Sequence, residues 1–286
     1  MSAVTLLKIL PGIKTAVQHH YAHALACMAE HRLEPPVLGI VWDGSGLGDD
    51  QTLWGGEFLL ITAQGYQRFG HLRSFVLPGG TKAIMEPRRA ALGLLYGIYN
   101  DNVFNISDLG FTAEELTLLK SAIKKLINCP QTTSAGRLFD AVASLLGLCP
   151  INGYEGQAAM MIENTASCCV TDRFYPFNLN TGKSIVVDWQ ETFEQIVEDR
   201  RLGFSPALIA AKFHNTLAEM MLCVAKLAEQ KTIVLSGGCF QNALLVEKAV
   251  NSLKNAGFTV YCHEKIPPND GGLALGQLVA ANYLGH

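Results

Sequence analysis

The sequence lacks the features that would mark it as a nucleic-acid-binding or membrane protein. Its 22 Lys and Arg residues are outnumbered by 25 Asp and Glu residues, so the net charge of -3 gives no general attraction to nucleic acid. No apolar run reaches the roughly 20 residues that span a bilayer, and no basic segment precedes the short apolar stretch at the N-terminus. These absences predict a cytoplasmic protein with neither a membrane segment nor a nucleic-acid partner.

The cysteines lack the spacing of a zinc-finger framework. The chain of 286 residues contains 8 cysteines, and no two of them form a CxxC pair. Zinc fingers and zinc ribbons take their ligands from such pairs, so this class of protein is excluded. In the cytoplasm the thiols are expected to be reduced and mostly to serve as small buried side chains.

Hydrophobic periodicity divides the chain into a strand-rich start, a helical middle and an alternating end. The start predicts a helix over 17–31, a buried strand over 37–42 that stops at the glycine-rich stretch 43–46, and an antiparallel hairpin turning at 64–65. The segment 170–195 is expected to be irregular or partly strand-like. Helices are predicted in the middle over 86–99, 113–127, 136–147, 155–166 and 205–229. The end predicts alternating strands and helices over 232–235, 241–255, 259–263 and 272–283.

This order of elements matches one lobe of the actin-like ATPase, or ribonuclease-H-like, α/β fold. Two such lobes normally face a nucleotide cleft, and this sequence is expected to hold the second lobe and the last helix of the first. We therefore predict a first-lobe helix within 1–35 and a second lobe over 36–286. The strand core of the second lobe would lie in 36–75 and 230–286, with a mainly helical insertion over 76–229.

The histidines His19 and His23 are the sharpest chemical feature. They lie four residues apart in the first predicted helix, so both side chains rise from one face within roughly 6 Å at Cβ. This spacing allows two imidazoles to share a metal ion, and the apolar stripe of the helix falls on the other side. A pair of solvated histidines is the alternative, and for an isolated HxxxH pattern it is the commoner outcome. His20 belongs to neither face and could contact a substrate or border the core.

Two aspartates are candidates for completing a metal site. Asp43 follows a buried strand, and ligands gather at the C-terminal ends of strands in α/β folds. Two imidazoles with carboxylate oxygens suit Zn or Fe(II), but a turn-forming role for Asp43 is an equally good interpretation. Asp270 precedes the last predicted helix, where an aspartate usually acts as an N-terminal cap and can also be a metal ligand on a rigid loop.

Glycine-rich turns before two predicted helices are candidates for nucleotide contact. Gly237 and Gly238 join a strand end to a helix start, where backbone amides can approach a phosphate. The stretch 136–140 begins another helix, and either turn is also compatible with an ordinary connection. No Gly-Lys-Ser follows the glycine pair, which excludes a Walker motif. Cys239 has no histidine base nearby in the sequence and is expected to be structural.

Seven motifs in a fixed order give these separate signals a common explanation. They are HHYAH (19–23), WGGEF (54–58), PGG (78–80), GRLFD (136–140), YEGQAA (154–159), SGGCFQN (236–242) and PPNDGG (267–272). This series resembles the C-terminal carbamoyltransferase region of the HypF family of hydrogenase-maturation proteins. The resemblance runs from about Val17 to the end of the sequence.

The resemblance implies an ATP-derived carbamoyl adenylate as the bound substrate and a divalent metal, Zn or Fe, at the cleft. By motif match the metal ligands would be His19, His23, Asp43 and Asp270. The residues expected at the adenylate would be Gly136, Asp140, Gly237, Gly238 and Asn242. Catalytic roles would fall to His20 and Asp43. The carbamoyl group would pass to the C-terminal cysteine of a partner, HypE, as the precursor of the cyanide ligands of nickel–iron hydrogenase.

The sequence also departs from the family, because it lacks the acylphosphatase-like, zinc-finger and adenylating domains and most of the first lobe. We therefore expect a separate polypeptide to supply these parts and expect no carbamoyl transfer by this chain alone. A non-catalytic remnant that binds metal or a partner protein is the alternative. A tRNA threonylcarbamoyl transferase is a further alternative, against which the motifs at 136–140 and 267–270 and the acidic balance argue.

Overall fold

The centre of the molecule is a mixed β-sheet. In a computed structural model, which describes residues 16–103 and 109–284, this sheet has nine strands. The strands are β1 (Val37–Leu47), β2 (Leu53–Thr62), β3 (Gly65–Leu72), β4 (Phe75–Val76), β5 (Gln131–Thr132), β6 (Asn178–Asn180), β7 (Ile185–Asp188), β8 (Thr232–Ser236) and β9 (Thr259–Cys262). The predicted hairpin is present as β2 and β3, which pair antiparallel up to the turn between Thr62 and Gly65.

The strand order is β6-β7-β3-β2-β1-β8-β9, with β4 and β5 paired beside β2. Strand β1 is central, because it pairs antiparallel with β2 and parallel with β8. Strand β9 pairs parallel with β8, so β1, β8 and β9 run in one direction. Their C-terminal ends meet at a single edge of the sheet, which is where ligands bind in α/β folds.

Ten α-helices of the described part cover the two faces of the sheet. They are α1 (His19–Glu30), α2 (Lys82–Met85), α3 (Pro87–Tyr99), α4 (Ala113–Lys124), α5 (Ala135–Leu145), α6 (Gln157–Ala166), α7 (Gln190–Arg201), α8 (Pro206–Ala228), α9 (Ala243–Asn255) and α10 (Leu273–Leu284). Helices α1 and α10 pack against each other over one face, and the buried apolar residues of the other eight belong to a larger core on the opposite face.

The alternation of side chains along β1 separates these two cores. Leu38, Ile40 and Trp42 face the larger core, and Val37 and Val41 face the smaller core under α1 and α10. Because helices bury both faces, the strand is continuously apolar in the sequence, which made it recognisable over 37–42.

Helices α1 and α10 lie unusually close together because residue 276 is a glycine. A Cβ atom at Gly276 would overlap the backbone carbonyl oxygen of Ala22 on α1, so any larger residue would force the helices apart. This contact brings the start of α10, and with it the loop that carries Asp270, next to the histidines.

Two predicted segments differ from the structure. Strand β1 continues to Leu47 instead of stopping at residue 42, because its pairing with β2 shifts register between Trp42 and Gly46 and then resumes. The prediction for 170–195 is wrong at its end, where α7 begins at Gln190. Most residues of α7 are polar or charged, so its apolar period was too weak to indicate a helix.

Helix α8 is the one described helix that is long and apolar enough to cross a membrane, with a mean hydropathy of 1.2 over its most apolar window. Of that window, 67% is buried inside the fold. Its apolar composition is therefore accounted for by its place in the larger core.

Candidate functional site

The histidine pair is carried by the first two turns of α1. Gln18 caps the helix, because its side-chain oxygen accepts a hydrogen bond from the backbone N–H of Tyr21 (2.8 Å). The ring centroids of His19 and His23 are 4.9 Å apart, with the planes at 72°. The side chain of His23 is only 1% exposed. The interpretation of the pair as two solvated histidines is therefore wrong.

Asp43 lies in the irregular part of β1 and has a separate role for each carboxylate oxygen. Oδ1 accepts the backbone N–H groups of Gly44 (2.8 Å) and Gly238 (3.0 Å). Oδ2 lies 3.0 Å from Nε2 of His19 and 3.4 Å from Nε2 of His23. Burial alone would raise the pKa of Asp43, but the hydrogen bond with His19 and the close approach of His23 hold its pKa well below the usual range. Asp43 is thus an ionised carboxylate fixed in orientation towards the histidines.

Asp270 reaches the same place from the loop after β9. It begins a short 3-10 turn, and the cap of that turn is Asn269, whose side-chain oxygen accepts a backbone N–H of the turn (3.1 Å). The capping role is therefore filled by its neighbour, which leaves the Asp270 carboxylate available. Its Oδ1 lies 3.6 Å from Nε2 of His19 and 3.4 Å from Nε2 of His23.

These four residues fit a divalent ion. One ligand atom each from His19, His23, Asp43 and Asp270 lies within 4.8 Å of all the others. Two ligands held about 2.1 Å from a tetrahedral ion are about 3.4 Å apart, which matches the two 3.4 Å separations at His23. Within the described ranges, Nε2 of His23 is buried without an aligned hydrogen-bond partner, an arrangement that costs free energy unless a further group satisfies it. The nitrogen and oxygen donors suit Zn or Fe(II).

His20 does not belong to this cluster. Its side chain is fully buried, with its ring centroid 6.0 Å from that of Trp54 and its Nδ1 3.2 Å from Nε2 of Gln18. Burial, followed by the neighbouring His19, lowers the pKa of His20 to about 3, so the ring is neutral at pH 7. The described residues that line the adjacent cleft do not include His20, and its catalytic role stays a prediction.

A cleft of about 720 Å³ opens beside the two aspartates. The residues predicted to act at the site that line it are Asp43, Gly136, Asp140, Gly238, Asn242 and Asp270. Gly237 is absent from the described lining, and its N–H donates to the carbonyl oxygen of Pro268 (3.0 Å). The N–H of Gly238 is likewise used, by Asp43. The structure therefore places the metal cluster beside predicted nucleotide residues. Two of the predicted backbone donors, the N–H groups of Gly237 and Gly238, already have acceptors within the protein.

The N-terminus of α5 forms one wall of the cleft. Ser134 caps this helix by accepting the N–H of Arg137 (3.2 Å), and its hydroxyl lies 2.9 and 2.6 Å from the carbonyl oxygens of Asp43 and Gly44. A Cβ atom at Gly136 would lie 2.9 Å from Cα of Gly44, so this close approach requires glycine. The positive end of the α5 dipole is thereby held beside Asp43, where it favours a bound anion.

Arg137 is a cleft residue that the sequence did not single out. Its side chain is buried, and its Nη1 lies 2.9 Å from Oδ2 of Asp140. Even so, Nε and Nη1 of Arg137 have no aligned hydrogen-bond acceptor among the described residues. Burial raises the pKa of Asp140 to about 6, against the opposing effect of the Arg137 charge. A buried guanidinium with unused N–H groups suits a phosphate or carboxylate. The only signal in the sequence was its place inside the GRLFD motif.

Asn242 is held on both sides of its amide. Its Oδ1 accepts the N–H of Leu245 (2.8 Å) as the N-cap of α9, and its Nδ2 lies 3.0 Å from Nε2 of His214. Nδ1 of His214 lies 2.8 Å from the carbonyl oxygen of Ala210, so Nδ1 carries the proton and Nε2 accepts from Asn242. Burial lowers the pKa of His214 to about 4, in keeping with a neutral ring. Asn242 therefore holds the cleft wall in place.

Cys239 lines the cleft without the environment of a reactive thiol. Burial, followed by the negative charge of Asp43, raises the pKa of Cys239 well above its usual value. A thiol with a raised pKa is mostly protonated at pH 7 and is a poor nucleophile. This agrees with the structural role expected from the sequence.

The chain is similar to known carbamoyltransferases over nearly all of its length. The family model described as a carbamoyltransferase, Kae1-like domain, second subdomain, matches residues 39–277. The chain is 41% identical over 284 residues to the carbamoyltransferase HypF of Synechocystis sp., covering 93% of this chain and 37% of that protein. It is 36% identical over 272 residues to a carbamoyltransferase HypF homolog of Cupriavidus necator, covering 92% of this chain and 69% of that protein. The chain thus spans less than two fifths of the Synechocystis protein.

Two solved structures agree with this assignment. Full-length HypF in its phosphate- and nucleotide-bound form matches with a TM-score of 0.92 at 37% identity, covering 98% of this chain and 44% of that chain. HypF of T. kodakarensis matches with a TM-score of 0.87 at 30% identity, covering 99% of this chain and 38% of that chain. The predicted α/β fold of the actin-like class and the resemblance to the C-terminal region of HypF are confirmed. The division into a first-lobe helix and a second lobe stays a prediction, and residues 1–15 lie outside the described part.

Proposed function

Since the chain belongs to the HypF family of carbamoyltransferases, we propose that it transfers a carbamoyl group from carbamoyl adenylate to the C-terminal cysteine of HypE. The group would then serve as the precursor of the cyanide ligands of nickel–iron hydrogenase. One observation carries the proposal: the four ligand atoms of the metal cluster lie together, and two of these residues, Asp43 and Asp270, line a cleft together with four of the five predicted nucleotide residues.

The proposed reaction is a substitution at the carbamoyl carbon. The acceptor thiolate attacks this carbon, a C–S bond forms, the C–O bond to the adenylate phosphate breaks, and AMP leaves with the electron pair. A divalent ion bound by His19, His23, Asp43 and Asp270 would supply Lewis-acid stabilisation of the charge that develops on oxygen. The nucleophile comes from the partner, in keeping with the protonated state of the Cys239 thiol.

The protein's own side chains would bind and orient the adenylate. Arg137 lines the cleft and would direct its guanidinium group at the phosphate, assisted by the N-terminus of α5. Asp140, three residues further along the same helix, would accept a hydrogen bond from the nucleoside. Holding the phosphate and the carbamoyl group at fixed positions would align the reacting carbon for attack.

Adenylation of the carbamoyl group would be performed elsewhere. The matched region covers 37% of the Synechocystis relative, and the resemblance assigns adenylation to a domain outside that region. We therefore propose that the chain acts together with the remaining HypF domains.

A complementation assay tests this proposal. The chain, HypE, carbamoyl phosphate and ATP are mixed with a HypF from the family in which the corresponding histidine pair is replaced by alanine. We expect the combination to carbamoylate the C-terminal cysteine of HypE, as detected by mass spectrometry, and expect neither protein to do so alone. The matched control is the chain with His19→Ala and His23→Ala, which should not restore transfer. Equal transfer with this control would contradict the proposal.

The metal content of the purified chain is a separate test. We expect about one Zn or Fe per molecule, because one set of four ligands is present. His19→Ala and His23→Ala should each lower this content, as measured by elemental analysis beside the unaltered chain. Equal content in all three proteins would disprove the site. Metal binding without transfer in the complementation assay would favour the alternative of a non-catalytic, metal-binding remnant.

A further inference from the structure

A series of polar contacts links the end of α1 to the loop that carries Asp270. Glu30, the last residue of α1, accepts with Oε1 the three consecutive backbone N–H groups of residues 264–266, the first at 3.1 Å and the last at 3.3 Å. Its Oε2 lies 3.1 Å from Nδ1 of His263. The side chains of Glu30 and His263 are 7% and 3% exposed. One carboxylate therefore fixes the start of the loop to the helix that carries both histidine ligands.

The contacts continue from His263 into the sheet. Nε2 of His263 lies 2.8 Å from Oγ of Ser236 at the end of β8, and this Oγ also lies 2.8 Å from the carbonyl oxygen of His23. Because a carboxylate only accepts, Nδ1 of His263 carries a proton directed at Glu30. Burial lowers the pKa of His263. The Ser236 hydroxyl has a single hydrogen, so it donates either to the carbonyl oxygen of His23 or to Nε2 of His263. The series thus joins α1, β8 and the loop after β9.

Among the four proposed ligands, Asp270 has the greatest need of such support. Its side chain is 73% exposed, compared with 11% for Asp43 and 1% for His23. Asp43 is oriented by two backbone N–H groups, and the histidines rise from a capped helix. Asp270 stands on a loop that Glu30 holds at its start and that the N–H of Gly237 holds near its end, at the carbonyl oxygen of Pro268.

We infer that Glu30 and His263 are positioning residues of the metal site. They hold residues 264–266 against α1, and the loop then places the Asp270 carboxylate within reach of the histidines. The inference rests on the proposed metal binding and assigns neither residue a contact with the ion. Residues that orient a metal ligand in this way typically contribute about 10- to 100-fold to metal affinity.

The test is the affinity of the purified chain for Zn²⁺, measured by competition with a chromophoric chelator, together with the Tm of the metal-free protein. Glu30→Ala is expected to weaken binding about 10- to 100-fold. Glu30→Gln keeps an oxygen for the N–H groups of 264–266 and should lose less. Glu34→Ala alters an exposed glutamate just beyond α1 and, as the matched control, should leave the affinity unchanged.

A double-mutant cycle with Asp270→Ala separates positioning from general destabilisation. Once Asp270 is removed, Glu30→Ala should cause no further loss of affinity. Should metal-free Glu30→Ala be unfolded by its Tm, Glu30→Gln takes its place in the cycle. Equal losses with and without Asp270, or no loss at all, would overturn the inference and leave the metal site standing. An unaltered chain that binds no Zn²⁺ would overturn the metal site itself, and the positioning role with it.

Discussion

The cleft has a metal side, formed by the four proposed ligands, and a nucleotide side, formed by the predicted adenylate residues and Arg137. The two sides are built in different ways. On the metal side, side chains from α1, β1 and the loop after β9 point to one place. On the nucleotide side, the N–H of Gly238 already serves Asp43, and the amide of Asn242 already caps α9. Arg137 is left with unused donors. The chemistry of a metal centre lies in a few side chains. Much of the hydrogen bonding of the glycine-rich wall, in contrast, stabilises the wall itself and orients the metal side.

Replacing Asp43 should have the largest effect on the metal side. Asp43→Asn keeps an oxygen for the N–H groups of Gly44 and Gly238 but presents an amide nitrogen to the histidines. Because removal of an orienting residue alone weakens metal binding by about 10- to 100-fold, loss of a ligand should exceed about 100-fold. Zn²⁺ affinity measured by chelator competition checks this, with Asp49→Asn, at an exposed aspartate in the turn between β1 and β2, as a control. Binding by Asp43→Asn at the strength of the unaltered chain would mean that Asp43 only shapes the turn.

Replacing Arg137 should have the largest effect on the nucleotide side. A hydrogen bond to a charged group contributes about 1.5 to 3 kcal/mol, so Arg137→Ala should weaken AMP binding by about 10- to 100-fold. Isothermal titration with AMP measures this change, and the Zn²⁺ content should stay the same. Arg201→Ala serves as the control, because it removes an exposed arginine that pairs with Glu198 on the same helix, α7. Unchanged AMP affinity in Arg137→Ala would show that its N–H groups face no phosphate.

The sequence predicted those parts of the site whose residues lie close together in the chain. The spacing of His19 and His23 is local, and so is the start of a helix after residue 135. The N–H of Gly238 reaches Asp43 across 195 positions of the chain, so no local pattern could show that this glycine donates to a candidate metal ligand and not to a phosphate. Arg137 matters because it is buried with unused donors, and burial of a charged side chain depends on the whole fold.

Substitution of Asn242 tests whether its amide stabilises the cleft wall or binds the nucleotide. Asn242→Ala should lower the free energy of unfolding by about 2 kcal/mol, of which about 1 reflects the lost N-cap and about 1 the lost hydrogen bond to buried His214. Asn242→Ser keeps an oxygen suited to the N-cap and removes the donor to His214 without adding a charge, so it should be less destabilised. Urea unfolding of the three proteins measures both changes. A loss of AMP affinity as large as that of Arg137→Ala, with stability unchanged, would assign the amide to the nucleotide instead.

The last prediction concerns the charge of Asp140, the partner of Arg137. Burial raises its pKa to about 6, above the value of about 3.9 for an unfolded aspartate. Between these values the folded chain binds the proton more tightly than the unfolded chain does. The stability from this group is therefore present below about pH 4 and is lost as the pH rises through about 6.

Comparison with Asp140→Asn isolates this contribution, because asparagine does not titrate. Between about pH 4 and pH 7 the unaltered chain should lose about 2 kcal/mol of unfolding free energy relative to the variant. Urea unfolding of both proteins across this range measures the difference, in which the other titrating groups cancel. A difference that does not change with pH would mean that Arg137 keeps Asp140 ionised throughout. The pair would then be a fixed ion pair of the wall, and the unused donors of Arg137 would be less available to a phosphate than the cleft geometry indicates.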